Sequence, residues 1–263
     1  MALLFSYASI AKGNHTLAEG IGPKEEQQEP KRIVLVLTSH GQLGRTGYKT
    51  GYWLEEFAAP YYFFKDQGMQ ITLASPKGDQ PPLDPKSKQE MFQTDYTRRF
   101  LEDKETQKIL SETVKLETVN AEDYDAIFYS GGYGPLWDLA ENKASIALIE
   151  SFYNSNKPIA SVCHAPAIFK NTKDSQGQSL VHRKKVTAYS NSEEAAVQFT
   201  SLVPFSVQDM LIENGAFYSK GQDWYPYAME DGLIVTGQNP ASAELVAELL
   251  LKKLSTRIDV YDK

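Results

Sequence analysis

Residues 33–37 read Ile-Val-Leu-Val-Leu, an aliphatic run with no polar position. Successive side chains of a β-strand point to opposite faces, so such a run must be covered on both sides. A parallel sheet between two helical layers meets that condition. Similar short runs recur at 70–74, 126–129, 158–162, 186–189 and 233–236. Helical patterns lie between them. Residues 144–156 carry Ile146, Ile149, Phe152 and Tyr153 at helical spacing. Residues 206–214 open with Ser206 and Asp209, a pair resembling a capping box, and stop at Gly215. Asn239 before Pro240 is a helix-start signal, and Leu245, Val246, Leu249 and Leu250 follow it. Strand–helix alternation of this kind predicts an α/β fold, a parallel sheet sandwiched between helices.

The polar residues before Arg32, with two prolines close together, read as an N-terminal extension over 1–31, and a single domain is expected over 32–256. The polar stretch 78–118 reads as an insertion of loops and short helices. Hydrophobic residues make up 41% of the 263, enough for a core of this size. The net charge of −7 argues against a nucleic-acid partner, because phosphate neutralisation needs a basic face. The one dense basic run, His182 to Lys185, reads as a solvated turn. No apolar run reaches the roughly 20 residues of a membrane span, so no membrane partner is expected. A single cysteine rules out an internal disulfide and a cysteine-based zinc site, and fits a cytoplasmic location. The mildly apolar first eleven residues leave export as the alternative.

That cysteine is Cys163. It follows the apolar run 158–162 directly and precedes Ala165 and Pro166. Ser161 and Ala165, at minus two and plus two, are both small. A nucleophile elbow requires this, because its sharp turn brings those two positions together. The turn lifts the side chain out of the carboxyl end of the sheet, and backbone N–H groups of a following helix are expected to lower the thiol pKa. A lone cysteine is ordinarily a buried apolar residue; the elbow context favours a nucleophile. His164 comes next; neighbouring side chains at such a turn diverge, so it need not touch the sulfur as a separate base would, and a partner acid could orient its imidazole. His40, at the end of the first run, is a candidate pocket residue. His15 and His182 carry little functional weight.

Ser130 to Pro135 reads Ser-Gly-Gly-Tyr-Gly-Pro after another strand. Glycines there let backbone approach a ligand, and the N–H groups of Gly132 and His164 could form an oxyanion hole. Glu55 and Glu56 lie among aromatic residues ahead of Pro60, near a helix start or break. A carboxyl group in such surroundings can titrate near neutrality.

Taken together these segments carry a family resemblance. From 32 to 254 the chain resembles the ThiJ/PfpI superfamily, in its heat-shock chaperone-like and glyoxalase III branch. The resemblance rests on 50–60 (Thr-Gly-Tyr-Trp-Leu-Glu-Glu-Phe-Ala-Ala-Pro), 74–78, 82–85 and 131–135. Its strongest motifs are 162–167 (Val-Cys-His-Ala-Pro-Ala) and 236–242 (Thr-Gly-Gln-Asn-Pro-Ala-Ser). It implies a flavodoxin-like sheet of the class I glutamine-amidotransferase type. It implies Cys163 as nucleophile, His164 beside it, Glu56 (or Glu55) as the acid near sulfur and Glu194 (or Glu193) as the acid orienting the histidine. Gly132 matches the oxyanion-hole glycine. Ala165 stands where many relatives carry glycine, and 78–118 lacks a His-Glu-His set, so no metal is expected. The implied activity is a cofactor-free conversion of small reactive aldehydes, methylglyoxal or glyoxal, to lactate or glycolate. A homodimer is also implied. A stress chaperone, a redox sensor or a cysteine amidase or peptidase are the alternative functions.

Overall fold

The computed structural model describes residues 29–256. The first eleven residues, His15 and nearly all of the expected extension lie outside them. β1 (Arg32–Val36) leads through a long loop to α1 (Leu54–Asp66) and β2 (Gln70–Ser75). Single 3-10 turns, α2 (Asp95–Glu102) and α3 (Lys104–Ser111) come next, then β3 (Val114–Lys115) and β4 (Ala126–Tyr129). After them come α4 (Pro135–Asp138), α5 (Lys143–Asn154), β5 (Ile159–Val162) and a 3-10 stretch, Ala165–Lys170. β6 (Lys185–Val186), α6 (Asn191–Ala196), α7 (Val207–Glu213), β7 (Phe217–Tyr218), β8 (Ala228–Asp231), β9 (Ile234–Gly237) and α8 (Ala243–Thr256) complete the chain.

Seven strands form one sheet in the order β3-β2-β1-β4-β5-β9-β8. All pair in parallel except β8, which runs antiparallel to β9 on the edge. The alternation in β1 shows why its run is apolar throughout. Ile33, Leu35 and Leu37 pack with Phe57, Phe64 and Val246 on one face. Val34 and Val36 pack with Ile149, Phe152 and Phe169 on the other. The chain leaves β1 towards β2 and later returns to its other side as β4, so strand order reverses between β1 and β4. Ligands of open α/β sheets bind beyond the carboxyl ends at such a switch point.

Three elements depart from the sequence expectation. The run 186–189 is not a strand of the main sheet. Only Val186 is paired, in a two-stranded ribbon with β7. Thr187 N–H donates to Thr236 Oγ1 (2.9 Å) and Tyr189 N–H to the Cys163 carbonyl (2.8 Å), so this segment crosses the carboxyl end of the sheet. β8 is an added edge strand whose residues are mostly half-buried and lack an apolar run. Its link to β9 at Asp231-Gly232, with Gly232 at φ +58°, is a sequence-visible hairpin signal. Pro60 lies inside α1 and does not break it. Proline lacks the N–H that would bond the carbonyl four residues back. That carbonyl, of Glu56, instead accepts the hydroxyl of Ser130 (3.0 Å) and so ties α1 to the end of β4.

Candidate active site

Cys163 ends β5 with φ +62°, a left-handed backbone that a residue with a side chain rarely adopts. The flanks Ser161 and Ala165 are fully buried, as the tight turn demands. The elbow is fixed from both sides: Cys163 N–H donates to the Gly237 carbonyl (2.9 Å), and its own carbonyl accepts from Tyr189. Cys163 is 3% exposed and opens onto a cavity of about 600 Å³.

His164 lies against the sulfur. Its Nδ1 lies 3.3 Å from Sγ, and its Nε2 lies 2.8 Å from Glu194 Oε2. A carboxylate accepts, so the proton belongs on Nε2 and the Nδ1 lone pair faces the thiol. Tyr133 donates its hydroxyl to the other oxygen of Glu194 (2.9 Å). The rings of Tyr133 and Tyr189 each lie 4.3 Å from the imidazole and hold its plane.

Glu193 is not the partner of His164. Ser190 caps α6 reciprocally with Glu193: the Ser190 hydroxyl accepts from the Glu193 N–H, and Glu193 Oε2 accepts from the Ser190 N–H (3.1 Å). Glu193 Oε1 accepts from the Trp224 N–H (2.9 Å) and Asn239 Nδ2 (2.8 Å). The pattern Ser-x-x-Glu at 190–193 is a capping box legible in the sequence, and it leaves Glu194 for the histidine.

Glu56 is fully buried and lines the cavity, and neither carboxyl oxygen has a well-formed hydrogen bond. Burial pushes its pKa well above the ordinary carboxylate range, against smaller lowering influences from the Cys163 thiol and the Gly131 N–H. A Cβ at position 131 would overlap Glu56 Oε2, so only glycine leaves room for the carboxyl beside the elbow. Glu55, on the same first turn of α1, also faces the cavity and accepts from Thr94 Oγ1 (2.5 Å). Burial raises its pKa to about 7, with Glu244 adding to the rise and Thr94 opposing it.

The expected low thiol pKa is not found. Burial, then the charge of nearby Glu56, push Cys163 well above its ordinary value, and the Gly132 N–H is a smaller influence downward. The elbow leads into a six-residue 3-10 stretch, which gives a weak dipole. His40 is a second correction. It does not line the cavity; its ring stacks on Trp137 at 5.1 Å and its Nε2 donates to the Gln42 carbonyl (2.6 Å). His182 and Arg183 belong to a turn, Lys184 follows it half-buried and paired to Asp231 at 3.2 Å, and Lys185 opens β6. Gly132 lines the cavity at φ +93°. Tyr133, Tyr189 and Thr94 are site residues that the sequence reading did not single out. Among the described residues, no group of three or more His, Cys, Asp or Glu side chains is placed to hold a metal ion. No helix among them is long and apolar enough to cross a membrane.

Sheet, elbow and Cys–His–Glu set define a flavodoxin-like α/β protein with a buried cysteine at the carboxyl end of its parallel strands. The model of the DJ-1/PfpI family matches residues 49–253, and the chain belongs to that family. The glutathione-independent glyoxalase HSP31 of Saccharomyces cerevisiae is 30% identical over 229 residues, 83% of this chain and 95% of that protein. Glyoxalase 3 of Candida albicans is 29% identical over 226 residues, 82% of this chain and 95% of its own length. Among solved structures, the Rapid Encystment Protein of Francisella tularensis aligns with a TM-score of 0.81 at 38% identity, covering 85% of this chain and 99% of that one. The glyoxalase III of Candida albicans aligns at 0.78 and 28% identity, covering 84% and 96%.

Proposed function

We propose that this protein is a glutathione-independent glyoxalase, converting methylglyoxal to lactate and glyoxal to glycolate with no cofactor. The observation that carries the reading is the fully buried Glu56 carboxyl beside Cys163, in a cavity shared with the His164–Glu194 pair. A thiol nucleophile alone fits many reactions. A carboxyl group with raised proton affinity beside it suits proton transfer at carbon.

The Cys163 thiol gives its proton to Nδ1 of His164, and Sγ adds to the aldehyde carbon. The proton then passes to the aldehyde oxygen, forming a hemithioacetal. N–H groups of Gly132 and His164 steady the oxygen as charge develops on it. Glu56, which burial keeps protonated, gives its proton to the ketone oxygen and, now a carboxylate, takes the proton from C1 as the electron pair moves to the C1–C2 bond, giving an enediol. Glu56 then returns that proton to C2 and takes up the C1 hydroxyl proton, leaving a thioester. Water cleaves it: hydroxyl goes to the acyl carbon, hydrogen to Sγ, and the 2-hydroxy acid departs.

The reading also takes residues 32–256 as one working domain, acting as a homodimer in the cytoplasm, with reactive aldehydes and not nucleic acid or membranes as its partners. The test is incubation of the purified protein with methylglyoxal in the absence of glutathione. Lactate is the expected product; consumption of the aldehyde without lactate, or no consumption, overturns the reading.

A further inference from the structure

The cavity above Cys163 is far larger than methylglyoxal. At about 600 Å³ it falls in the range that suits ligands of drug size, roughly 300–1,000 Å³. Methylglyoxal takes up on the order of 100 Å³, three to four waters at ~30 Å³ each.

The surplus space has mainly apolar walls, with Lys86 lying 4.4 Å over the Phe199 ring. Two aromatic ladders run outward from the His164 imidazole. One passes through Tyr133 to Phe199, 5.4 Å between ring centres, and the other through Tyr189 to Trp224, 6.0 Å. Trp53 and Phe92, in edge contact at 5.1 Å, line the same cavity. The rim is apolar as well: Met91 (79% exposed), Trp224 (47%), Phe92 and Val197 all face it.

Trp224 supplies an independent observation. Its φ is +69°, a strained backbone for a bulky residue. The buried carboxyl of Glu193 holds it there by accepting its N–H, while Asn239 donates to the same oxygen. Strained backbone of this kind persists where surrounding structure enforces it, and clusters at ligand clamps. Here it keeps a half-exposed indole at the mouth of a catalytic cavity.

We infer that the preferred substrates are 2-oxoaldehydes carrying a branched aliphatic or aromatic substituent. The aldehyde sits at Cys163 and the substituent lies among Phe92, Phe199 and Trp224. The inference rests on the glyoxalase reading of the same site. The probe is 4-methyl-2-oxopentanal, which matches methylglyoxal at the reacting carbons and adds only an apolar branch. The full chain is assayed with both aldehydes, without glutathione. The wild type is expected to favour the branched aldehyde by about tenfold or more in kcat/KM, the effect of roughly one well-buried methylene. Trp224→Ala is expected to lower that ratio at least about fivefold, the value of one lost aromatic contact. Phe92→Ala, a partly exposed position, should lower it in the same direction if Trp224→Ala folds poorly. Phe217→Ser, at an exposed apolar residue away from the cavity, should leave the ratio unchanged. Equal turnover of the two aldehydes, a preference for methylglyoxal, or a ratio insensitive to both cavity variants overturns the inference alone. Turnover of neither aldehyde overturns the glyoxalase reading, and the inference with it.

Discussion

Replacement of Glu55 by glutamine should change how the stability of this protein depends on pH. Glu55 titrates at about 7 in the fold, raised chiefly by burial. In the unfolded chain a glutamate titrates near 4.3. Below pH 4 both states are protonated and the site has no effect. Between the two values the unfolded chain releases the proton and the folded chain keeps it, so stability falls as pH rises. Above about 8 both forms are ionised and the loss is complete. At 1.36 kcal/mol for each tenfold change in proton affinity, the full loss is at most about 3.7 kcal/mol. Glutamine keeps the shape and an oxygen for the Thr94 hydroxyl, but cannot ionise. Urea unfolding at pH 5 and pH 8.5, with equal m-values, isolates the effect, because the other titrating groups are common to both proteins. Wild type should lose up to about 2.5 kcal/mol more than Glu55→Gln between those two conditions, because the unfolded glutamate is already mostly ionised at pH 5. Parallel changes in the two proteins would refute the reasoning and show that Glu55 is well solvated.

The other expectations concern the reacting groups. Glu56→Gln keeps the side-chain volume and removes the carbon base, so kcat should fall roughly 10²–10⁴-fold in a lactate assay, with the circular dichroism spectrum unchanged. Glu194→Gln can present an N–H in place of the accepting oxygen and so favour the wrong imidazole tautomer. A loss of about 10²-fold or more in kcat is expected, and a wild-type value would remove Glu194 from the orienting role. Gly131→Ala places a Cβ against Glu56 Oε2 and the Val162 carbonyl. It should lower both Tm and kcat, and a fully active, equally stable variant would show that the two strand ends can part without cost.

The local parts of this site were legible in the sequence and the long-range parts were not. Small residues at Ser161 and Ala165 are a steric requirement of the turn itself, so the elbow could be read from a handful of neighbours. The two acidic pairs differ in kind. Glu193 and Glu194 are separated by one helix step, and the local capping box of Ser190 assigns one of them. Glu55 and Glu56 are distinguished only by Gly131 and Cys163, which arrive from two other strands. The thiol pKa failed for the same reason. A helix dipole is a local feature, whereas the burial that outweighs it comes from packing distant segments over the sulfur. Residues 187–189 match strand composition, yet hydrogen bonds to Thr236 and Cys163 draw them across the sheet end to deliver Tyr189. The edge strand β8 escaped because it has no doubly covered run, although Asp231-Gly232 marked its hairpin.

In the proposed reaction Sγ of Cys163 is the atom that bonds to substrate. The direct measurement is lactate formed from methylglyoxal, without glutathione, by wild type and by Cys163→Ser. Serine fits the elbow and keeps a hydroxyl there, but it is a far weaker nucleophile at neutral pH. Lactate formation by the folded variant should fall to the uncatalysed background. Lactate produced by Cys163→Ser at the wild-type rate would contradict it.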